Sequence, residues 1–224
     1  MSLADEAGAW REEVGRLKQR YYKPWGLSGQ EKQDVRQVQV THAVSHQDLF
    51  LSRTDNADIR DQITIKLRQI MEERRTSVAP VARTDLAVGS WVTVCSRASG
   101  KWYRACVETL EGNDSATIRL VDKGRTEVIP LDKIYPLPDA FYSIPSLILR
   151  CQLCDFPQDI EVDVEDIKSI VKLMLTASEL LCVFRTCDEP CLVRLFDQNR
   201  GGFLSDLFVQ QRNMRQLWNS PSSS

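Results

Sequence analysis

The chain has 224 residues, 42% of them hydrophobic, which is enough to bury a core as one large domain or two small ones and speaks against general disorder. Its 29 Lys and Arg against 31 Asp and Glu give a formal net charge of −2, which excludes a global positive field for nucleic acid but not a local basic patch. Seven cysteines, an odd number spread from Cys95 to Cys191 without a short disulfide framework, point to reduced thiols in an intracellular compartment, and no run of ~18 apolar residues is present to span a bilayer.

The first element is an amphipathic helix from Leu3, with Ala7, Trp10, Val14 and Leu17 on one stripe, stopping before Pro24. A polar stretch through Gly26, Gly29 and Lys32 leads to strands carrying Val35, Val38, Val40 and Ala43, then Leu49 to Leu51, with a hairpin turn at Ser45 and His46. Thr54 and Asp55 are candidate N-caps for a helix with Ile59, Ile63, Leu67, Ile70 and Met71 inward, ending at Arg74 to Ser77.

From Gly89 to Pro138 the pattern changes to short alternating runs: Trp91 to Cys95, Trp102 to Glu108, Ala116 to Asp122 and Arg125 to Ile129. Four strands separated by tight turns predict a small barrel. Beyond it come a strand at Leu147 to Leu153 and a helix at Asp163 to Thr176 with Val164, Ile167, Val171, Met174 and Leu175 inward. Strands at Leu180 to Arg185 and Leu192 to Asp197 follow, then a short helix or coil carrying Phe203 to Phe208. The class is therefore mainly β with α (α+β), a barrel inserted into a second α+β unit.

The run Gly100-Lys101-Trp102-Tyr103-Arg104-Ala105-Cys106-Val107 resembles the Gly-x-Trp-Tyr-Arg-Ala-x-Val signature of Tudor domains. Val121 to Arg125 resembles the Asp-Tyr-Gly-Asn turn of that family; Leu137-Pro138, Phe141 and Ile144-Pro145 resemble the run that leaves its barrel, and Cys151-Gln152-Leu153 the strand beyond. The resemblance is to extended Tudor domains, and it implies a Tudor barrel inserted into a split staphylococcal-nuclease-like OB fold and connected by a helix. On that plan residues 1–34 are an N-terminal helix and linker, 35–86 the first part of the nuclease-like lobe with the connecting helix, 87–140 the barrel, 141–215 the second part of the lobe, and 216–224 a disordered tail.

Family members that read dimethylarginine stack its delocalised cation between aromatic faces, worth ~2 kcal/mol or more when desolvated. The resemblance places the four cage positions at Arg97, Tyr103, Leu120 and Lys123, with Arg125 where the family has Asn. Only Tyr103 is aromatic, and Arg97, Lys123 and Arg125 bring positive charge. One like-charge contact at ~4 Å and an effective dielectric near 20 costs about 4 kcal/mol before screening, more than one ring returns. Weak or absent methylarginine recognition is the expectation. A bound peptide's cations would turn instead to the acidic run Asp155, Asp159, Glu161, Asp163, Glu165 and Asp166, which as a helix N-terminus also favours carboxylates for its own reasons.

By resemblance the partner is the Arg-rich N-terminal tail of a PIWI-clade Argonaute, unmethylated, alongside other granule scaffold proteins, and the setting is a cytoplasmic, perinuclear germ granule devoted to piRNA silencing. No cofactor, catalytic group or membrane contact is implied. Two readings stay open beside it: a purely structural scaffold, and single-stranded RNA binding on the basic set Lys66, Arg68, Arg74, Arg75 and Arg83 with Arg97, Lys123 and Arg125. Cys151-x-x-Cys154 and Cys187-x-x-x-Cys191 have a spacing that zinc could use, but strand residues three apart face opposite ways, so buried thiols are the simpler reading. His42 and His46 are the only histidines, too few for a metal cluster or a nucleophile relay.

Overall fold

The computed structural model describes residues 3–27, 35–74, 78–112, 114–156, 161–186 and 188–219, and for residues 3–7 and 216–219 the backbone alone. In chain order the elements are α1 (Leu3–Tyr21), β1 (Val35–Ser45), β2 (Asp48–Arg53), α2 (Ala57–Glu73), β3 (Trp91–Cys95), β4 (Trp102–Glu111), β5 (Ser115–Leu120), β6 (Thr126–Pro130) and β7 (Ile134–Pro136). They continue with β8 (Ile148–Leu153), α3 (Val164–Thr176), β9 (Leu180–Phe184), β10 (Cys191–Asp197), β11 (Gly202–Phe203) and α4 (Leu204–Asn219). Two compact units divide them: Met1–Pro24 with Asp55–Ile148, and Trp25–Thr54 with Leu149–Ser224.

In the first unit five antiparallel strands run in the order β6-β5-β4-β3-β7. Alternation on these strands turns Val92, Val94, Ala105, Val107, Ala116, Ile118 and Leu120 inward, where Ile129, Leu131 and Ile134 complete the barrel core. The barrel has five strands where four were expected. The missed strand, β7, is three residues long and ends at Pro136, too short for alternation to register. A second core joins α1 through Val14 to Ile59, Ile63, Leu67 and Ile70 of α2 and to Leu137, Phe141, Ile144 and Leu147 of the chain leaving the barrel. Each such side chain contributes roughly 1.5–3 kcal/mol by leaving water, and the stripe read from the sequence of α2 is the buried one.

The start of α2 differs from expectation. A 3-10 turn over Thr54–Asn56 precedes it and Asn56 occupies the cap position, but its side chain makes no cap bond. Its amide instead pairs with both backbone groups of Lys23, accepting from the N–H at 2.8 Å and donating to the carbonyl at 3.0 Å. Asn56 thus ties the chain after α1 to the first turn of α2.

In the second unit β1 pairs with β2 and β9, β9 with β10, and β10 with β8, which neighbours β2, so five strands close on themselves and β11 extends β10. The β8–β10 pair is parallel and the β1–β2, β1–β9 and β9–β10 pairs antiparallel, with α3 lying between β8 and β9 in the chain. That order and sense are those of a five-stranded OB barrel, opened in sequence between β2 and β8, where the first unit's barrel is inserted.

Two expectations about this unit's helices are corrected. The buried residues of α3 are Asp166, Ile170, Leu173 and Met174, whereas Val164 and Leu175, expected inward, are exposed. The C-terminal segment, expected as a short helix or coil, is a sixteen-residue helix whose first turns Leu204 and Phe208 anchor in the core. The tail beyond Asn219 lies outside the described residues.

Candidate functional site

Strand alternation fixes what the Trp-Tyr-Arg-Ala signature on β4 can do. Tyr103 packs against the barrel core together with Ala105, while Trp102 packs against the second core. Arg104 is fully buried and every one of its five N–H donors has an acceptor. Nε and one Nη2 hydrogen donate to the two carboxylate oxygens of Asp122 at 3.0 and 2.7 Å, and the other three hydrogens go to the carbonyls of Phe141, Ile144 and Pro145. Asp122 also accepts from the Leu147 amide at 3.2 Å. The signature arginine is therefore a bracket between β4, the turn after β5 and the chain leaving the barrel. It is not a ligand group.

The turn after Asp122 depends on Gly124, whose φ of +83° lies in the left-handed region that a β-carbon would strain. That geometry directs Lys123, half-buried, into a pocket of about 400 Å³ that Tyr103 also lines. Lys101 and Trp102 from the barrel and Asp61 and Arg68 from α2 complete the charged and aromatic part of its wall. Burial pushes the Lys123 ammonium below its ordinary value; the nearby Arg60 and Lys101 charges add to this and Asp61 and Asp122 oppose it.

Of the five candidate positions, only Tyr103 and Lys123 meet in this pocket. Leu120 is 3% exposed and belongs to the barrel core. Arg97 is exposed in the loop before β4, its amide donating to Glu127 Oε2 at 3.1 Å. Arg125 forms an ion pair with Glu127 and reaches Ser96 Oγ at 3.3 Å. Burial pushes the Glu127 carboxyl up, but hydrogen bonds from Ser96, Arg125 and the Arg97 amide outweigh it and hold the group below its ordinary value. Glu127 thereby fastens the β3–β4 loop to β6. Sequence reasoning missed this carboxylate and Asp61, and named Arg68 only in the basic set for RNA; the available signal for Asp61 was its polar position on α2 opposite the apolar stripe.

The acidic candidates of the second unit are mostly engaged. Asp155 pairs with Arg194 at 2.8 Å, and Asp163 caps α3 by accepting from the Asp166 amide at 2.7 Å. Asp166, 2% exposed, is held by Arg212 and Arg215 at 3.0 and 2.5 Å. Glu161 is exposed, and Asp159 lies outside the described residues. Among the cysteines, Cys151 and Cys191 face each other on the parallel β8–β10 pair and both are buried, while Cys154 is exposed and Cys187 is not described. Among the described residues no group of three or more His, Cys, Asp or Glu is placed to hold a metal, and no helix is long and apolar enough to cross a membrane.

Comparison with known proteins agrees with this architecture. The extended Tudor domain of human TDRD1, solved with a symmetrically dimethylated peptide, superposes with a TM-score of 0.70 over 80% of this chain and 88% of that one at 19% identity. The extended Tudor domain TD3 of mouse TDRD1, solved with a MILI peptide containing dimethylarginine, gives 0.69 over 85% and 97% at 16% identity. Tudor domain-containing protein 1 of Oryzias latipes is 25% identical over 118 residues, 52% of this chain but only 10% of that protein, so the chain spans about a tenth of this relative's length. The Tudor domain family profile matches residues 30–155, more than half of the sequence. With the split OB barrel and the Arg104 bracket, that match makes the chain a member of the Tudor domain family, with the fold of an extended Tudor domain.

Proposed function

We propose that this chain is a non-catalytic protein-interaction module that binds the Arg-rich N-terminal tail of a PIWI-clade Argonaute without depending on arginine methylation. It works as a scaffold of piRNA silencing, together with other scaffold proteins, in a cytoplasmic, perinuclear germ granule. Family membership supports a binding role, and the two related TDRD1 domains were solved with dimethylated peptides. The observation that carries the methylation part is the sharing of one pocket by Tyr103 and Lys123. A dimethylated guanidinium entering beside Tyr103 and Trp102 would meet the like charge of the Lys123 ammonium, and Leu120 lies in the barrel core. Arginines of the tail are then held by charge, for which Glu161 of the second unit is an exposed carboxylate.

Calorimetric titration with one Arg-rich tail peptide, unmethylated and symmetrically dimethylated, tests the reading at low and physiological salt. The unmethylated peptide is expected to bind at least as tightly as the methylated one and to weaken as salt rises. Binding of the methylated form alone would show that the cage assignment is wrong, and binding of neither would remove the peptide reading.

A further inference from the structure

The first unit carries more than the Tyr103 pocket. A second pocket of about 310 Å³ shares Trp102 with it and is lined further by Met71, Glu72, Arg74 and Tyr135. Both lie along the same helix, from Asp61 to Glu72 of α2, a rise of about 16 Å at 1.5 Å per residue. Three half-buried rings, Tyr103, Trp102 and Tyr135, border this track, and Trp102 meets Tyr135 edge to face at 5.6 Å. The charged groups facing it are Arg68, Arg74, Lys101 and Lys123 against Asp61 and Glu72, an excess of two positive charges. Arg68 is partly spent on Glu72 at 3.6 Å, but neither Lys101 nor Lys123 has an ion-pair partner among the described residues. Arg60, on the same helix, adds its field to that of Lys123.

Rings interleaved with unneutralised cations along an open track suit a single strand of nucleic acid, whose bases offer flat faces and whose backbone offers one negative charge per nucleotide. A carboxylate or phosphate carried on a peptide side chain would use the cations and leave the rings idle. We propose that the α2–β4 track of the first unit binds single-stranded RNA, stacking a base on Tyr103 and contacting backbone phosphates with Lys101 and Lys123. The site is independent of the peptide reading: its cations repel an Arg-rich tail, so RNA and peptide occupy different groups on the same chain.

Fluorescence anisotropy of a labelled oligouridine against the full chain over a salt series tests this. The wild type is expected to bind, and the Lys101→Ala/Lys123→Ala double variant to weaken binding about tenfold and to flatten the logarithmic salt slope by about 1.4, two phosphate contacts at ~0.7 each. Tyr103→Leu, which keeps the barrel core apolar, is expected to weaken binding severalfold with the slope unchanged, because it removes stacking and not charge. Absence of oligouridine binding, or binding that these variants leave intact, overturns the proposal, and so does a phosphopeptide that binds the track more tightly than the RNA. The Arg-rich peptide titration run on the same double variant separates the two readings, since loss of charge at the track leaves peptide affinity unchanged or raised if both hold.

Discussion

Arg104 and Lys123 show how two cations some twenty residues apart take opposite roles. The first is sealed with a carboxylate and three carbonyls, the second is left half-buried without an ion pair among the described residues. Removing the partner of a buried guanidinium strands a charge, so Asp122→Ala is expected to destabilise the first unit by about 3–5 kcal/mol. Lys123→Ala relieves crowding among Lys123, Arg60 and Lys101, and its effect should stay within about 0.5 kcal/mol. Urea unfolding of both variants decides the matter, and similar midpoints for the two would refute the bracket. The sequence made Tyr103 and Lys123 legible as neighbours because Gly124 and the signature strand fix their register. It could not show that Glu127 anchors the Arg97 amide, since that contact joins a loop to a strand thirty residues away. The thiols make a further contrast: burial and the neighbouring Cys191 and Cys154 thiols push Cys182 far up, while Cys154 is exposed. Alkylation followed by peptide mapping should label Cys154 well before Cys151, Cys182 or Cys191; equal labelling would mean that the second unit opens as readily as its surface reacts.

At the level of elements the sequence was clear wherever the apolar stripe was narrow. In α2 the stripe from Ile59 to Ile70 has only the exposed Ile65 as a large apolar residue off it, and it is the buried face. In α3 apolar residues at 164, 167, 170, 171, 173, 174 and 175 cover more than half the helix circumference, so two stripes about a third of a turn apart satisfy the same periodicity. Contact with β1 and α4 selects the face of Ile170, Leu173 and Met174. Leu173→Ala should therefore cost about 2–5 kcal/mol, and Leu175→Ala, 49% exposed, under about 1. Thermal melts that ranked the two the other way would return α3 to the orientation read from its sequence. The length of α4 was hidden for a different reason: Gln210, Gln211, Arg212 and Asn213 carry no apolar period, and the helix is set by its anchors Leu204 and Phe208.

Across the whole molecule, chain order was the legible part: strands, helix and barrel signature, then strand, helix, strand, strand, which is an OB barrel interrupted between its second and third strands. Closure of that barrel rests on contacts no local pattern contains, and His46 is a case in point. It sits in the β1–β2 turn, its carbonyl accepts from the Leu153 amide at 2.8 Å, and its ring stacks on Phe156 at 4.0 Å, which in turn packs on Phe208 of α4 at 5.2 Å. The ring thus joins the start, middle and end of the second unit, and burial pushes it below its ordinary value of 6.5. Because the folded form resists protonation, the unfolded chain binds more protons just below that value, and stability that is complete above it is lost as the pH falls through it. Replacing the imidazole by a ring that cannot titrate removes this term and keeps the stack. Melting temperatures at about pH 7.5 and about pH 5.5 should thus fall further for the wild type than for His46→Phe. An equal fall in both proteins would mean that the His46 ring takes its proton in the folded state without leaving Phe156.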